Sequence, residues 1–122
     1  APQSKHLVPW RYAALALAGK DQEAAEDYGN VAEKPADKQD WFDRLTLFFM
    51  GRIEEQDLLA SVDDENPDLR DAQLCDAYFF IGLRLQKDGQ GDPERYFQRA
   101  IESKATQLSA YRAARIELNN RQ

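Results

Sequence analysis

Apolar positions recur with the period of an α-helix along most of the chain. Spacings of three and four residues, as in Trp10, Ala14 and Leu17, place side chains on one face of a helix. Similar stripes continue to about residue 119, and none alternates strictly as a half-buried strand does. The pattern predicts an all-α chain with an N-terminal tail at 1–7 and one helical-repeat domain at 8–122. The predicted helix pairs and the final capping helix span residues 8–34, 37–62, 68–103 and 106–120.

Glycine, proline and aspartate mark the predicted ends of these helices. Gly19, Gly51 and Gly89 each follow an apolar stripe, where glycine readily adopts the left-handed conformation that ends a helix. Pro35 ends the second helix because the residue before a proline is pushed out of the α region. Aspartate side chains cap the first N–H groups of helices. The predicted N-caps are Asp21, Asp37 and Asp92.

The same glycines suggest a repeated unit. They lie 32 and 38 residues apart, a spacing typical of stacked helix-turn-helix units. Around Gly89, the small Gly82 precedes the turn and the aromatic Phe97 follows it. Together these positions resemble a tetratricopeptide repeat, although the second unit has a stunted second helix. The resemblance implies helix pairs with a small residue at the crossing and an aromatic ring behind it.

Three longer segments resemble one particular family of repeat proteins. They are residues 41–62 (WFDRLTLFFMGRIEEQDLLASV), 78–101 (YFFIGLRLQKDGQGDPERYFQRAI) and 109–118 (SAYRAARIEL). In that order they are similar to the C-terminal half of NlpI-type bacterial lipoproteins (new lipoprotein I). The resemblance implies a scaffold for envelope peptidases or peptidoglycan hydrolases, in the periplasm or cell envelope. A cytoplasmic location stays open. No cysteine near residue 1 matches the lipid-bearing cysteine of that family, so the resemblance does not extend to its membrane anchor.

Composition excludes several other classes of function. The chain has 122 residues, 22 acidic and 16 basic, and an acidic net charge of −6 disfavours binding to nucleic acid. One cysteine excludes an intrachain disulfide, and one histidine excludes most zinc sites. No apolar run approaches the roughly 18 residues of a membrane span. We therefore expect no cofactor, no metal and no membrane span in this chain.

The charge is unevenly distributed along the sequence. Residues 1–94 carry a net charge of −10, whereas residues 95–122 carry +4. This asymmetry is typical of complementary charges within a helical stack. The alternative is a basic patch for an acidic partner surface, with Arg95, Arg99, Arg112 and Arg115 as its candidate residues.

Neither reactive side chain has the neighbours that catalysis requires. A nucleophilic thiolate needs a nearby positive charge and access to solvent. Cys75 lies in mid-helix beside Leu74 and Asp76, so the pattern favours a buried structural thiol. His6 is predicted to be a solvated residue of the tail. The acidic run at 63–68 lacks the ligand spacing of a calcium loop, and the segment at 89–94 lacks the flanking strand of a phosphate loop.

Aromatic residues concentrate in the first helix of each predicted pair. In repeats of this class the first helices line the concave surface, where partner peptides lie. The candidate groove residues are Trp41, Leu45, Phe48, Phe79 and Leu83. Burial in the core is the competing interpretation for each of them.

These observations support three hypotheses about function. The sequence favours a non-catalytic interaction module, an adaptor that binds a protein or peptide through the concave surface. The second hypothesis is a small regulator or immunity-type inhibitor of an envelope enzyme, acting through the acidic surface. The third, a hydrolase, is disfavoured because no nucleophile–base pair can be assigned. The sequence leaves the oligomeric state open, including a homodimer.

Overall fold

The computed structural model describes residues 5–106 and 108–121. Within those ranges the chain is all-helical and contains no strand. The positions left outside are residues 1–4 of the predicted tail, residue 107 of the predicted capping helix, and residue 122. The helices are α1 (Val8–Leu17), α2 (Asp21–Tyr28), α3 (Trp41–Met50), α4 (Glu55–Ala60), α5 (Pro67–Asp88), α6 (Pro93–Ile101) and α7 (Ser109–Asn119), with 3₁₀ segments at Lys5–Leu7, Gly29–Glu33 and Ala36–Lys38.

The described chain groups into two compact units. Unit 1 ends at Leu58 and unit 2 begins at Leu59. In unit 1, α1 packs against α2 and α3, and α3 also contacts the 3₁₀ segment Gly29–Glu33. The Tyr12 ring of α1 meets the Phe49 ring of α3 edge-on, with centroids 6.3 Å apart. These aromatic side chains are buried, so they fix α3 on α1.

Unit 2 is built around the long helix α5. Helix α6 packs against α5, and α7 packs against both. Phe97 of α6 is fully buried, and its ring centroid lies 5.7 Å from that of Phe79. A Cβ atom placed on Gly82 of α5 would lie 2.6 Å from Cε1 of Phe97. The absence of a side chain at Gly82 is therefore what lets α6 approach α5 so closely, and this small–aromatic contact was expected from the sequence.

The three recurring glycines end their helices in the same way. Gly19, Gly51 and Gly89 all have positive φ angles, between 65° and 85°. In each case the next residue donates its N–H to the carbonyl five residues before it, over 2.8 to 3.0 Å. This is the closing hydrogen bond of a Schellman motif. The predicted C-terminal ends of α1, α3 and α5 are thus confirmed.

The starts of the helices differ more from the prediction. Asp37 lies in a 3₁₀ segment, and Asp40 caps α3 in its place. Asp21 is the first helical residue of α2, after Lys20 at the cap position. Asp92 does precede α6, but its side chain makes no capping hydrogen bond. An aspartate beside a turn identifies a helix start to within a few residues, because several neighbours can supply the same cap.

The second helix is also shorter than predicted. Helix α2 ends at Tyr28, and the chain continues as the 3₁₀ segment Gly29–Glu33. Lys34 is extended, as expected for a residue before proline. Residues 5–7 of the predicted tail form a 3₁₀ turn, in which His6 is exposed and its ring meets that of Phe42 edge-on.

Replacing Gly82 by alanine tests the close approach of α5 and α6. Gly82→Ala should destabilise the protein by about 1–3 kcal/mol, because the new methyl group overlaps the buried ring of Phe97. The measurement is the midpoint of urea unfolding. An unchanged m-value would show that the shift in the midpoint reflects a change in stability.

Gly29→Ala is the matched control. Gly29 has an ordinary φ of −73°, and a Cβ there would meet its nearest neighbours at 3.8 and 3.9 Å. This variant should keep or slightly raise the stability, by up to about 1 kcal/mol. Equal stability of Gly82→Ala and the wild type would show that α6 is free to shift away from α5.

Candidate functional sites

Most of the predicted groove residues are part of the core. Leu45, Phe48, Phe79 and Leu83 are each at most 7% exposed, so they do not present a surface to a partner. Trp41 is half-buried. This corrects the expectation of an aromatic groove. The reason is that the apolar spacing of a helix is the same whether its face lies in a groove or against another helix.

The four candidate arginines of unit 2 are all exposed. On α7, the buried Ala110, Ala114 and Leu118 define the inner side of the helix, and Arg112 and Arg115 lie away from it. On α6, the buried residues are Phe97 and Ala100, with the other two arginines exposed beside them. Both helices therefore direct basic side chains to solvent.

An apolar side chain accompanies these arginines. Ile116 lies one turn after Arg112, so these two share the outer side of α7, and Arg115 is exposed on the neighbouring part of the helix surface. Ile116 is 59% exposed, more than any other large apolar side chain in the described residues. We define the basic face as Arg95, Arg99, Arg112, Arg115 and Ile116.

The arginines of the basic face differ in their partners. Within the described residues, neither Arg95 nor Arg115 forms an ion pair. Glu117, the acidic residue of α7, is held by Arg121 at 3.0 Å. Arg99 lies over the Tyr78 ring, 5.6 Å from its centroid, and this contact leaves its charge in place. The charges of Arg95, Arg99 and Arg115 therefore have no ion-pair partner among the described residues, and the carboxylates of Glu94 and Glu102 are also exposed near α6.

Unit 1 contains a partly open cavity of about 230 Å³. It lies where the end of α2 and the following 3₁₀ segment meet the start of α3. Lysines and carboxylates line it together with two valines, so both charge signs and an apolar surface are present. The main lining residues are Lys5, Val8, Asp27, Val31, Lys34 and Asp43. The sequence does not predict this cavity, because its residues come from three separate segments of the chain and form no motif.

A reciprocal capping box organises the charges beside this cavity. Asp40 accepts the N–H of Asp43 at 2.9 Å, and Asp43 accepts the N–H of Asp40 at 3.0 Å. Lys5 and Lys34 donate to these two carboxylates at 3.3 and 3.0 Å, respectively. The carboxylates therefore link α3 to chain segments that precede it.

The pKa of Asp40 reflects this arrangement. Partial burial disfavours its charged form, but the N–H of Asp43 and the ammonium groups of Lys5 and Lys34 outweigh that effect. The net result is a pKa below the ordinary value. The folded state therefore stabilises the Asp40 carboxylate.

Cys75 is buried in α5 and has the properties of a structural thiol. Burial raises its pKa to about 11, although a hydrogen bond with Ser103 acts in the opposite direction. The nearby charge of Asp76 raises the pKa further. A thiol with these properties is protonated at neutral pH and is a poor nucleophile.

The acidic turn before α5 has a local structural role. Asp63 accepts the N–H groups of Glu65 and Asn66, which lower the pKa of its carboxyl group. The side-chain oxygen of Asn66 in turn caps α5, because it accepts the backbone N–H groups of Asp68 and Leu69. Within residues 5–106 and 108–121, no group of three His, Cys, Asp or Glu side chains could hold a metal ion.

Comparison with known proteins gives no relative. No family model, curated protein or solved structure matches the chain. Across the described helices, none is long and apolar enough to cross a membrane.

Removing the Asp40 side chain tests its structural role. Asp40→Ala should cost about 0.5–2 kcal/mol at neutral pH, because α3 loses its N-cap. The matched control is Asp37→Ala, which removes an exposed carboxylate that caps no α-helix. Equal losses in the two variants, measured by urea unfolding, would contradict the assigned cap.

The lowered pKa gives the sign of the pH dependence. Because the folded protein holds the proton of Asp40 less tightly than the unfolded chain, the charged form contributes stability above the ordinary value of 3.8. That contribution should disappear as the pH falls through the lower folded value. The stability difference between the wild type and Asp40→Asn should therefore shrink in acid; a constant difference would show that the charge has no role.

Cys75 should resist thiol reagents in the native protein. At pH 8 only about one thiol in a thousand is ionised when its pKa is about 11, and burial blocks access as well. Labelling with a chromogenic disulfide should be slow in buffer and fast in urea. Rapid stoichiometric labelling of the folded protein would contradict the buried position of Cys75.

Proposed function

We propose that the chain is a non-catalytic interaction module that binds an acidic polypeptide through the basic face of unit 2. The observation that carries this proposal is the highly exposed Ile116 on the same helix as Arg115, an exposed arginine with no ion-pair partner among the described carboxylates. Interfaces combine apolar contacts with charges that complement those of the partner, and this part of α7 offers both. Such a surface suits a partner with carboxylates around an apolar side chain.

The packing within each unit supports a helical-repeat interpretation. In a stack of helix pairs, the first helix of a pair contacts its partner and the first helix of the next pair. Helix α1 contacts α2 and α3 in this way, and α5 contacts α6 and α7. The three similar glycine ends lie at corresponding positions, after α1, α3 and α5. These features accord with the tetratricopeptide resemblance and hence with a protein-binding role.

The sequence resemblance supplies the class of partner to test. Over residues 8–120 the chain resembles NlpI-type lipoproteins, which implies envelope peptidases and peptidoglycan hydrolases as partners. On this proposal the protein acts as an adaptor in the periplasm or cell envelope. The burial of most candidate groove residues favours the basic face over the concave surface as the place of contact.

A second candidate function rests on α2. Its four carboxylates, Asp21, Glu23, Glu26 and Asp27, are all exposed. This acidic helix suits a regulator or immunity-type inhibitor that covers a basic enzyme surface. The two functions differ in the charge of the partner, so substitutions in α2 and in the basic face separate them.

Binding of a labelled peptide tests the main proposal. The probe is a helical peptide of glutamate and leucine, compared by fluorescence anisotropy with the same peptide carrying glutamine for glutamate. The acidic peptide should bind more tightly, and the advantage should fall towards zero at about 1 M salt, where the Debye length is about 3 Å. Equal binding of both peptides, or no binding of the acidic one, would overturn the proposal.

Charge reversal locates the surface. Arg112→Glu combined with Arg115→Glu should weaken binding of the acidic peptide at least about tenfold, because like charges then face each other. Ile116→Ala should weaken it less, through lost apolar contact. The control is Arg70→Glu, an exposed arginine of α5 outside the basic face. Arg115→Glu alone changes the net charge by the same amount as Arg70→Glu, so equal effects of these two single variants would assign the binding to net charge alone.

A further inference from the structure

The cavity of unit 1 combines groups that recognise opposite charges. Its volume of about 230 Å³ is below the roughly 300–1,000 Å³ of sites for drug-sized ligands. It therefore suits a molecule of the size of a single amino acid. All of its lining residues belong to unit 1, so the basic face of unit 2 supplies none of them.

Two lysines supply hydrogen-bond donors at the start of α3. Lys5 and Lys34 are held by Asp40 and Asp43 through one hydrogen bond each. An ammonium group has three N–H donors, so each lysine keeps donors for a further acceptor. Both side chains are also partly exposed, with 71% and 39% of their surface accessible. Each ammonium group can therefore donate to a ligand carboxylate without breaking its existing ion pair.

Asp27 places a negative charge near the C-terminal end of α2, where a negative charge is unfavourable. It is the penultimate residue of α2, where the helix dipole favours a positive charge. Among the described residues, no side chain or N–H group donates a hydrogen bond to it. Asn30, which also lines the cavity, has a side-chain amide that is likewise without a described partner. A ligand ammonium group beside Asp27 would offset the unfavourable position of this carboxylate.

Two valines give the cavity an apolar part. Val31 is only 4% exposed, and Val8 is half-buried. Because both line the same cavity as the charged groups, a short aliphatic side chain can pack there while the polar ends of the ligand remain at the charged residues.

We propose that this cavity binds a small zwitterion, a free α-amino acid with a short aliphatic side chain. Its carboxylate binds Lys5 and Lys34, its ammonium group binds Asp27 and Asn30, and its side chain lies against Val8 and Val31. The assignment follows from the presence of both charge signs, the size of the cavity and its apolar surface.

Titration with L-valine and two derivatives tests the assignment. N-acetyl-L-valine lacks the ammonium group and L-valinamide lacks the carboxylate. Followed by NMR of the full chain, L-valine should saturate and bind at least about tenfold more tightly than either derivative, with shifts at the methyl groups of Val8 and Val31. No saturable binding of L-valine, or equal binding of all three compounds, overturns the proposal. Tighter binding of either derivative would instead show a simple anion or cation site.

Variants of α2 complete the test. Asp27→Asn should weaken the binding of L-valine at least about fivefold and change that of N-acetyl-L-valine, which has no ammonium group, less than twofold. Asp27 is exposed and makes no described hydrogen bond, so this change should leave the fold intact. Glu23→Gln is the matched control, because it removes the same charge from an exposed position of α2 that does not line the cavity. Equal losses in the two variants contradict a direct contact with Asp27.

Discussion

The close approach of α5 and α6 at Gly82 is the constraint on which unit 2 depends. The ring of Phe97 lies where any other residue at position 82 would place its Cβ atom. This contact buries Phe97 fully and brings it against Phe79. Helix α7 then packs on both helices, with its alanines facing inward. The outward direction of Arg112, Arg115 and Ile116 is a consequence of this packing, because a helix fixed on its alanine side must present the opposite side to solvent.

Charged residues serve two distinct purposes in the molecule. In unit 1, Asp40 and Asp43 cap α3 and bind lysines from earlier segments, so their charges are used within the fold. In unit 2, Arg121 is used in the same way, since it pairs with Glu117 and lies over the Phe97 ring. Arg95 and Arg115 have no such partner among the described residues. These two arginines are therefore available to a partner, which is the basis of the proposed interaction with an acidic polypeptide.

The sequence was most informative where a local rule decides the structure. The glycines at positions 19, 51 and 89 marked helix ends correctly, because a left-handed residue at that position strongly favours glycine. Helical spacing also predicted the all-α content. The N-cap of α3 was missed, since Asp37 and Asp40 are both plausible caps, and only the structure shows that Asp40 forms the capping box with Asp43. Four of the five groove residues were misplaced for a related reason: periodicity shows that a face is apolar but not what covers it. The cavity of unit 1 left no pattern in the sequence at all.

In the proposed function, the basic face meets a partner and the aromatic positions do not. Chemical-shift mapping tests this directly, by following the backbone amides of the isotope-labelled chain during titration with the acidic glutamate–leucine peptide. We expect shifts concentrated in α6 and α7, strongest around Ile116, with the amides of α2 unchanged. Shifts centred on α2 or on the residues around Phe48 would contradict the proposed surface.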